Sequence, residues 1–373
     1  MNIFFEYIFI KKIDLYLLKK FTHNFFMFFF IILSALFLIE FVELLRRTAE
    51  NPNVNSHYYV LYLAFLKISG SVIYIIPVLI YFTTMYSCWR LNRSREMVII
   101  QNSGMSSYRI LYPFILFSLI LSVFYLFILN PFLSHGTNIY EKIDQQLFRG
   151  ELSESTLNKS GVWLRQGSDQ NKIVIRASNY ISDVSVFEDV TFYIFTKKNN
   201  FVERIDTEIA ILKENYWQMT NVTINRPNKR VVKIEEYTLT TNLSVRKIEN
   251  SFLDPRSMSI WKLPSFIKLL KQSGFSSTKH EIYLYKTCIL PIFLIGLVLL
   301  GGPFTMKFTK TIGKSAYLIL IGSFLGFLIY ALSEYIYNLG IANKLPAWLA
   351  SMAPSFITIM MGVYFVIYFE NEN

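Results

Sequence analysis

Eighteen residues at positions 25–42, "FFMFFFIILSALFLIEFV", carry a single charged side chain. A helix of about 20 apolar residues is long enough to cross the hydrocarbon core of a bilayer. Such a run has no polar face to offer water, so it dictates a fold organised around lipid. Five more runs repeat the signal, at residues 60–88, 110–132, 283–303, 316–337 and 348–369. With 53% of the chain hydrophobic, a polytopic membrane protein is the expected class. The first run does not read as a cleaved signal peptide, because some two dozen residues precede it, it is too long and it lacks a small-residue cleavage site.

The formal net charge is +11, which in a soluble chain would raise nucleic acid as a partner. No nucleic-acid-binding motif accompanies the charge, so the basic residues read as topology signals and contacts to anionic lipid. Lys11, Lys12, Lys19 and Lys20 precede the first span; Arg90, Arg93, Arg95 and Arg109 separate the second and third; Lys307, Lys310 and Lys314 separate the fourth and fifth. In a six-span arrangement all three groups fall on one side, which is then the cytoplasm, with both termini there. Arg46 and Arg47, beyond the first span, run against that rule.

Between residues 133 and 264 the texture changes. "GVWLRQ", "NKIVIRASNYI", "VTFYIFTK", "TEIAILKE", "YWQMTNVTIN" and "RVVKIEEYTLTT" read as short strands. "QGSDQN", "KKNN", "KENY" and "RPNK" read as turns. Strands in succession without helices predict one antiparallel sandwich or jellyroll domain on the external side. After it, "SMSIWKLPSFIKLLKQSGF" predicts a short amphipathic helix with Phe266, Leu269 and Leu270 on one face and Gly274 at its end. The expected organisation is an N-terminal membrane half (1–132), a β domain (133–264) and a C-terminal membrane half (265–373).

Signs of catalysis or cofactor binding are few. "FTKTIGKS" (308–315) matches the end of a phosphate-binding loop, but Phe308 stands where its first glycine belongs and no core strand precedes it. Cys88 and Cys288 fall in or beside apolar runs, and four histidines are scattered without ligand spacing, which argues against a metal site. Charges in or beside spans carry more weight, since each costs at least ~2.5 kcal/mol in lipid. Glu40, Glu43 and Arg47 share one helix face, either as a helix end reaching water or as a polar stripe on a cavity. Glu334 sits deeper, in the fifth span, and is a cavity group, half of a structural pair or a residue at the outer edge of the span.

The segment "SREMVIIQNSGMS" is the least expected. Residues 97–100 are apolar through a full turn, so a helix there is covered on every side. Asn92 or Ser94 is placed to cap it, Glu96 suits the dipole of its first turn, and Gly104 suits its end.

This segment resembles the cytoplasmic loop of the LptF/LptG family of lipopolysaccharide export permeases. "SGVWLRQGSDQNKIVI", "FLDPRSMSIWKLPSFIKLLKQSG", "GFLIYALSEYIYNLG" and "LPAWLASMAPSFITI" resemble further segments of the same family, in order and closest to its LptG branch. The resemblance implies a permease subunit without catalytic activity, in the inner membrane of a Gram-negative bacterium, with six transmembrane helices (3+3) and a periplasmic β-jellyroll. It implies a homologous LptF partner, an LptB ATPase dimer that holds ATP with Mg, LptC, and lipopolysaccharide as substrate, with no cofactor on this chain. It makes residues 94–104 the ATPase-coupling helix, with Arg95, Glu96, Met97, Ile100 and Gly104 at the docking surface and Glu96 as a charged contact at its rim. Arg46 and Arg47 match a basic pair of the LptG branch, and with Glu40, Glu43 and Glu334 they are the substrate-binding candidates. Glu40 departs from a lysine that some members carry there. Two other readings remain open: a stand-alone secondary transporter, which calls for inverted repeats, and a membrane-anchored periplasmic adaptor or envelope enzyme.

Overall fold

The computed structural model describes residues 12–49, 57–148, 156–158, 161–167, 171–181, 186–196, 200–213, 216–227, 230–241, 254–272, 275–306 and 312–371. The chain forms two compact units, one of residues 1–137 with 281–373 and one of residues 138–280.

The first unit is helical. Helix α1 (Lys12–Ala49) runs for 38 residues, about 57 Å at the standard rise, well beyond the predicted 25–42. The run expected as one span at 60–88 is instead two helices, α2 (His57–Ser69) and α3 (Val72–Arg93), separated by a turn at Gly70–Ser71. Hydropathy does not register such a break, because Gly70 and Ser71 interrupt a run whose flanks are equally apolar. Helix α4 (Glu96–Asn102) follows. Helix α5 (Ser107–Phe124) continues through a π turn at Tyr125–Leu129 into α6 (Asn130–Phe148).

The C-terminal helices are α8 (Thr278–Cys288), α9 (Leu290–Gly301), α10 (Pro303–Met306), α11 (Ile312–Ile341) and α12 (Ala347–Asn371), the number α7 belonging to the second unit. Among the described residues, five helices are long and apolar enough to cross a membrane, in α1, α3, α5–α6, α11 and α12. A bent pair, α8 meeting α9–α10 at 56°, makes a sixth if the two pieces count as one span. Gly313, Lys314 and Ser315 begin α11, in a helix rather than a phosphate-binding loop after a strand. Lys307 and Lys310 lie outside the described residues.

Helix α9 is the centre of this unit. It is apolar all round, and Leu294, Val298 and Leu300 are fully buried, as expected for a helix enclosed by others. It packs most extensively on α12, and small residues set that approach. A Cβ added at Gly362 would stand 2.7 Å from Leu299 Cβ and 3.0 Å from the Gly296 carbonyl, so only glycine admits the two backbones at this separation. Helix α1 is the opposite case: only 6% of its apolar span is buried in the chain.

The second unit is built on seven strands: β1 (Thr156–Asn158), β2 (Gly161–Gly167), β3 (Asn171–Ile181), β4 (Val186–Thr196), β5 (Phe201–Lys213), β6 (Tyr216–Asn225) and β7 (Val232–Thr240). All neighbours pair antiparallel, in the order β1-β2-β3-β4-β5-β6-β7. The antiparallel β insertion read from the sequence is thus present, as a meander joined strand to strand. β3 and β6 match the predicted segments end to end, and β1 was not anticipated. The period-two alternation of these strands buries one face. Ile175, Phe187, Phe192, Ile205 and Met219 converge there on Trp217, itself fully buried. Phe187 and Phe192 meet the indole edge-on at centroid distances of 5.1 and 5.6 Å, the favoured aromatic geometry. Asp189 and Asn221 have φ of 50° and 55°, and each falls where the ladder pairing is interrupted. Such kinks increase local twist.

Helix α7 (Leu263–Gln272) closes this core with Leu270, and Phe275 follows. The buried face of α7 is Leu263, Ile267 and Leu270, with Phe266 partly covered; Leu269 is half-buried, and Gly274 lies outside the described residues. Ahead of α7, Asp254 accepts hydrogen bonds from the Arg256 amide at 2.9 Å and its side chain at 2.9 and 3.3 Å, and from Lys279 at 3.2 Å. Burial acts to raise its carboxyl, but these cations win and hold it down at about 2.

Candidate functional site

Helix α4 is positioned by an abrupt reversal after α3. The Ser94 amide donates to the Arg90 carbonyl at 3.0 Å and the Arg95 amide to the Asn92 carbonyl at 3.0 Å. Arg95 then takes φ 61°, a left-handed conformation that costs a non-glycine residue roughly 1–2 kcal/mol. The helix therefore starts without the side-chain cap expected from Asn92 or Ser94. Asn92 donates to the Thr305 carbonyl at 3.1 Å, and Ser94 Oγ faces the last turn of α3 and Glu96. At the other end, the Gly104 amide donates to the Gln101 carbonyl at 2.9 Å with φ 85°. No atom lies within 4 Å of a Cβ built there, so the backbone angle alone selects glycine.

The apolar residues of α4 divide sharply. Met97 and Ile100 are 0% and 9% exposed, against 70% for Ile99. Helix α4 thus fixes one face on the bundle and turns an isoleucine toward water. Glu96 is engaged within the chain. Tyr16 Oη donates to Oε2 at 2.8 Å, Lys20 Nζ approaches both oxygens at 2.7 Å, and Ser94 Oγ donates to Oε1 at 3.0 Å. Partial burial acts to raise this carboxyl, but the three donors outweigh it and hold Glu96 below the ordinary carboxylate range.

At the far end of α1, Lys67 from α2 sits between Glu40 and Glu43. It pairs closely with the first and at 2.9 Å with the second, while Arg47 pairs with Glu43 at 2.7 Å. The shared face of Glu40, Glu43 and Arg47 is as predicted, and Lys67 is the residue that the sequence reading missed. Arg46 is exposed beside this cluster. Glu334 meets a second unforeseen lysine: Lys286 Nζ is 2.6 Å from its carboxylate and lies over the rings of Tyr74 and Tyr337 at 4.9 and 4.1 Å. The pair lines a narrow cleft with Tyr330 and Ser333, so Glu334 is both a paired group and a cleft group. A lone lysine inside an apolar run was the available signal for both partners.

A larger cavity of about 560 Å³ opens beside α1. Phe28, Ile31 and Ile32 of α1 form one wall, and Phe82, Met85, Tyr86 and Trp89 of α3 face them, with Thr305, Ile319 and Ser323 completing it. Its lining is almost wholly apolar. Ile32 and Arg46 lie fourteen positions apart on α1, roughly 20 Å along the axis. A molecule touching both needs a charged head and a long apolar body.

These features define a class: a multi-pass helical membrane protein with a β domain inserted between its membrane halves and an apolar groove along its first span. The chain belongs to the LptF/LptG family of lipopolysaccharide export system permeases, whose family profile matches residues 15–368. It is 22% identical over 280 residues to the lipopolysaccharide export system permease protein LptG of Haemophilus influenzae, covering 71% of this chain and 74% of that protein. As a member of this family it is a multi-pass protein of the inner membrane.

Proposed function

We propose that this chain is one transmembrane subunit of an ATP-binding-cassette exporter of lipopolysaccharide, working with an LptF-type permease, two LptB-type ATPase subunits and LptC. The observation that carries the reading is Ile99, 70% exposed on a helix whose opposite face is fully buried. An isoleucine held outward on a short helix between two spans is accounted for by a partner with an apolar socket. The basic segments Lys19–Lys20 and Arg90–Arg95 place α4 in the cytoplasm by the positive-inside rule, where an ATPase would meet it. Both termini are then cytoplasmic and the β domain is periplasmic.

In this reading Arg46 and Arg47 meet the phosphates of the lipid, and the apolar groove takes its acyl chains. The nearly unburied span of α1 suits a helix that faces a second permease and the lipid between them. The β core accepts the lipid as it leaves the membrane. This chain performs no catalysis and holds no cofactor; ATP and Mg belong to the ATPase, in keeping with Phe308 at the position where a phosphate loop needs glycine. The likeness to a protein named LptG supports the LptG-type role.

The test is affinity purification of the tagged full-length chain in mild detergent, with mass spectrometry of what accompanies it. Recovery of an ATP-binding-cassette ATPase and a second permease of this family is expected. A chain that purifies alone would refute the proposal.

A further inference from the structure

Only 22% of the apolar span of α11 is buried within the chain, so a few contacts decide where this helix stands. One lies at Tyr81 of α3, which is 2% exposed. Its hydroxyl donates to the Gly322 carbonyl of α11 at 2.5 Å, an oxygen that the helix also engages with the amide four residues on. Its ring occupies the space that a side chain at position 326 would need. A Cβ built on Gly326 would stand 2.1 Å from that ring, about 1.5 Å inside ordinary carbon–carbon contact. A Cβ on Gly301 of α9 would stand 3.3 Å from the same ring. Glycines four apart on a membrane helix ordinarily admit a second backbone; here Gly322 and Gly326 receive one tyrosine. Roughly two turns away along α11, the tie runs in the reverse sense, Tyr330 donating to the Tyr74 carbonyl of α3 at 3.3 Å.

This seam is the back of the apolar groove. Phe82 follows Tyr81 and Met85 lies one turn further on; Ser323 follows Gly322 and Ile319 lies one turn before it. All four line the groove, opposite Phe28, Ile31 and Ile32 of α1. Met85 belongs to both features, because a Cβ built on Gly322 would stand 2.9 Å from its terminal methyl. The separation of α3 and α11 therefore fixes the width of the groove, and the tyrosine that fixes the separation is itself buried behind the lining.

We propose that Tyr81 is a positioning residue that sets the spacing of α3 and α11 and thereby the bulk of acyl chains that the groove admits. The proposal rests on the exporter reading above and deepens it, naming a buried side chain that selects among lipids without lining the groove.

The experiment uses the full complex in proteoliposomes containing hexa-acylated and tetra-acylated lipopolysaccharide in equal amounts, and reads the ratio of the two released to a soluble acceptor. A general loss of folding or hydrolysis lowers both lipids alike and leaves that ratio unchanged. Gly326→Ala, whose methyl forces α11 away from the ring, should shift the ratio toward the hexa-acylated lipid by about tenfold, the lower end of what one methylene decides in an apolar pocket. Tyr81→Phe removes only the hydroxyl and should shift it the same way by a smaller factor. Adding Tyr81→Leu to Gly326→Ala gives the methyl the room that the ring vacates and should return the ratio toward the wild-type value. A wild-type ratio in either single variant overturns the proposal, and so does a shifted Gly326→Ala ratio that Tyr81→Leu leaves in place. Should Gly326→Ala yield no complex, the ratio in Tyr81→Phe decides by itself. Failure of the wild-type complex to release either lipid with ATP refutes the exporter reading, a separate outcome.

Discussion

Replacing Ile99 and Met97 in turn by alanine separates docking from folding within a single helical turn. Burying an isoleucine fully yields about 1.5–3 kcal/mol, and Ile99 leaves 70% of its surface for a partner. Removing it therefore forfeits roughly 1–2 kcal/mol of association, about a 5- to 30-fold weaker complex. The fold itself should lose no more than about 0.5 kcal/mol, as at other exposed sites. Met97 is fully buried, so Met97→Ala should cost the permease about 2–5 kcal/mol. Titration of purified ATPase onto detergent-solubilised permease measures the first quantity, and thermal unfolding of the permease measures the second. The reasoning fails if Ile99→Ala binds the ATPase like wild type, or if it unfolds the permease as readily as Met97→Ala does.

Trp217→Ala should destabilise the β domain by about 3–5 kcal/mol, because the indole is fully buried between Phe187 and Phe192; limited proteolysis would show cleavage confined to the strands. Lys286→Met or Glu334→Met alone should each cost about 3–5 kcal/mol by stranding the partner charge, and the double substitution should recover most of the loss; detergent thermal stability reads both. The depressed Asp254 carboxyl gives a pH signature. Its folded value of about 2 lies below the ordinary 3.8, so its stabilisation is complete above pH 4 and is lost as the pH falls toward 2. Asp254→Asn should flatten the acid limb of the unfolding profile over that window, and an unchanged limb would contradict the assignment.

The architecture was legible because lipid and sheet impose strong periodicities. Runs of apolar residues marked the spans, and alternation marked β3 and β6 to the residue. The break at Gly70–Ser71 was not legible, since a two-residue turn between apolar flanks leaves mean hydropathy unchanged. The three-residue β1 is too short to display a period. For the site, the sequence picked out Glu40, Glu43 and Glu334 as costly charges but not Lys67 and Lys286, their cationic partners on other helices. Pairing across helices depends on rotation about each axis, which a one-dimensional pattern does not carry. The intrachain partners of Glu96 were not legible for the same reason. Tyr16 and Lys20, some eighty residues earlier in the chain, are what occupy it.

The most direct test of the account is ATP-driven release of lipopolysaccharide from proteoliposomes that contain this chain with the ATPase and second permease proposed for it. The account predicts release that requires ATP and all the subunits, and that falls when Arg46 and Arg47 are both replaced by glutamate. Hydrolysis without lipid movement, or lipid release by this chain alone without ATP, would contradict it.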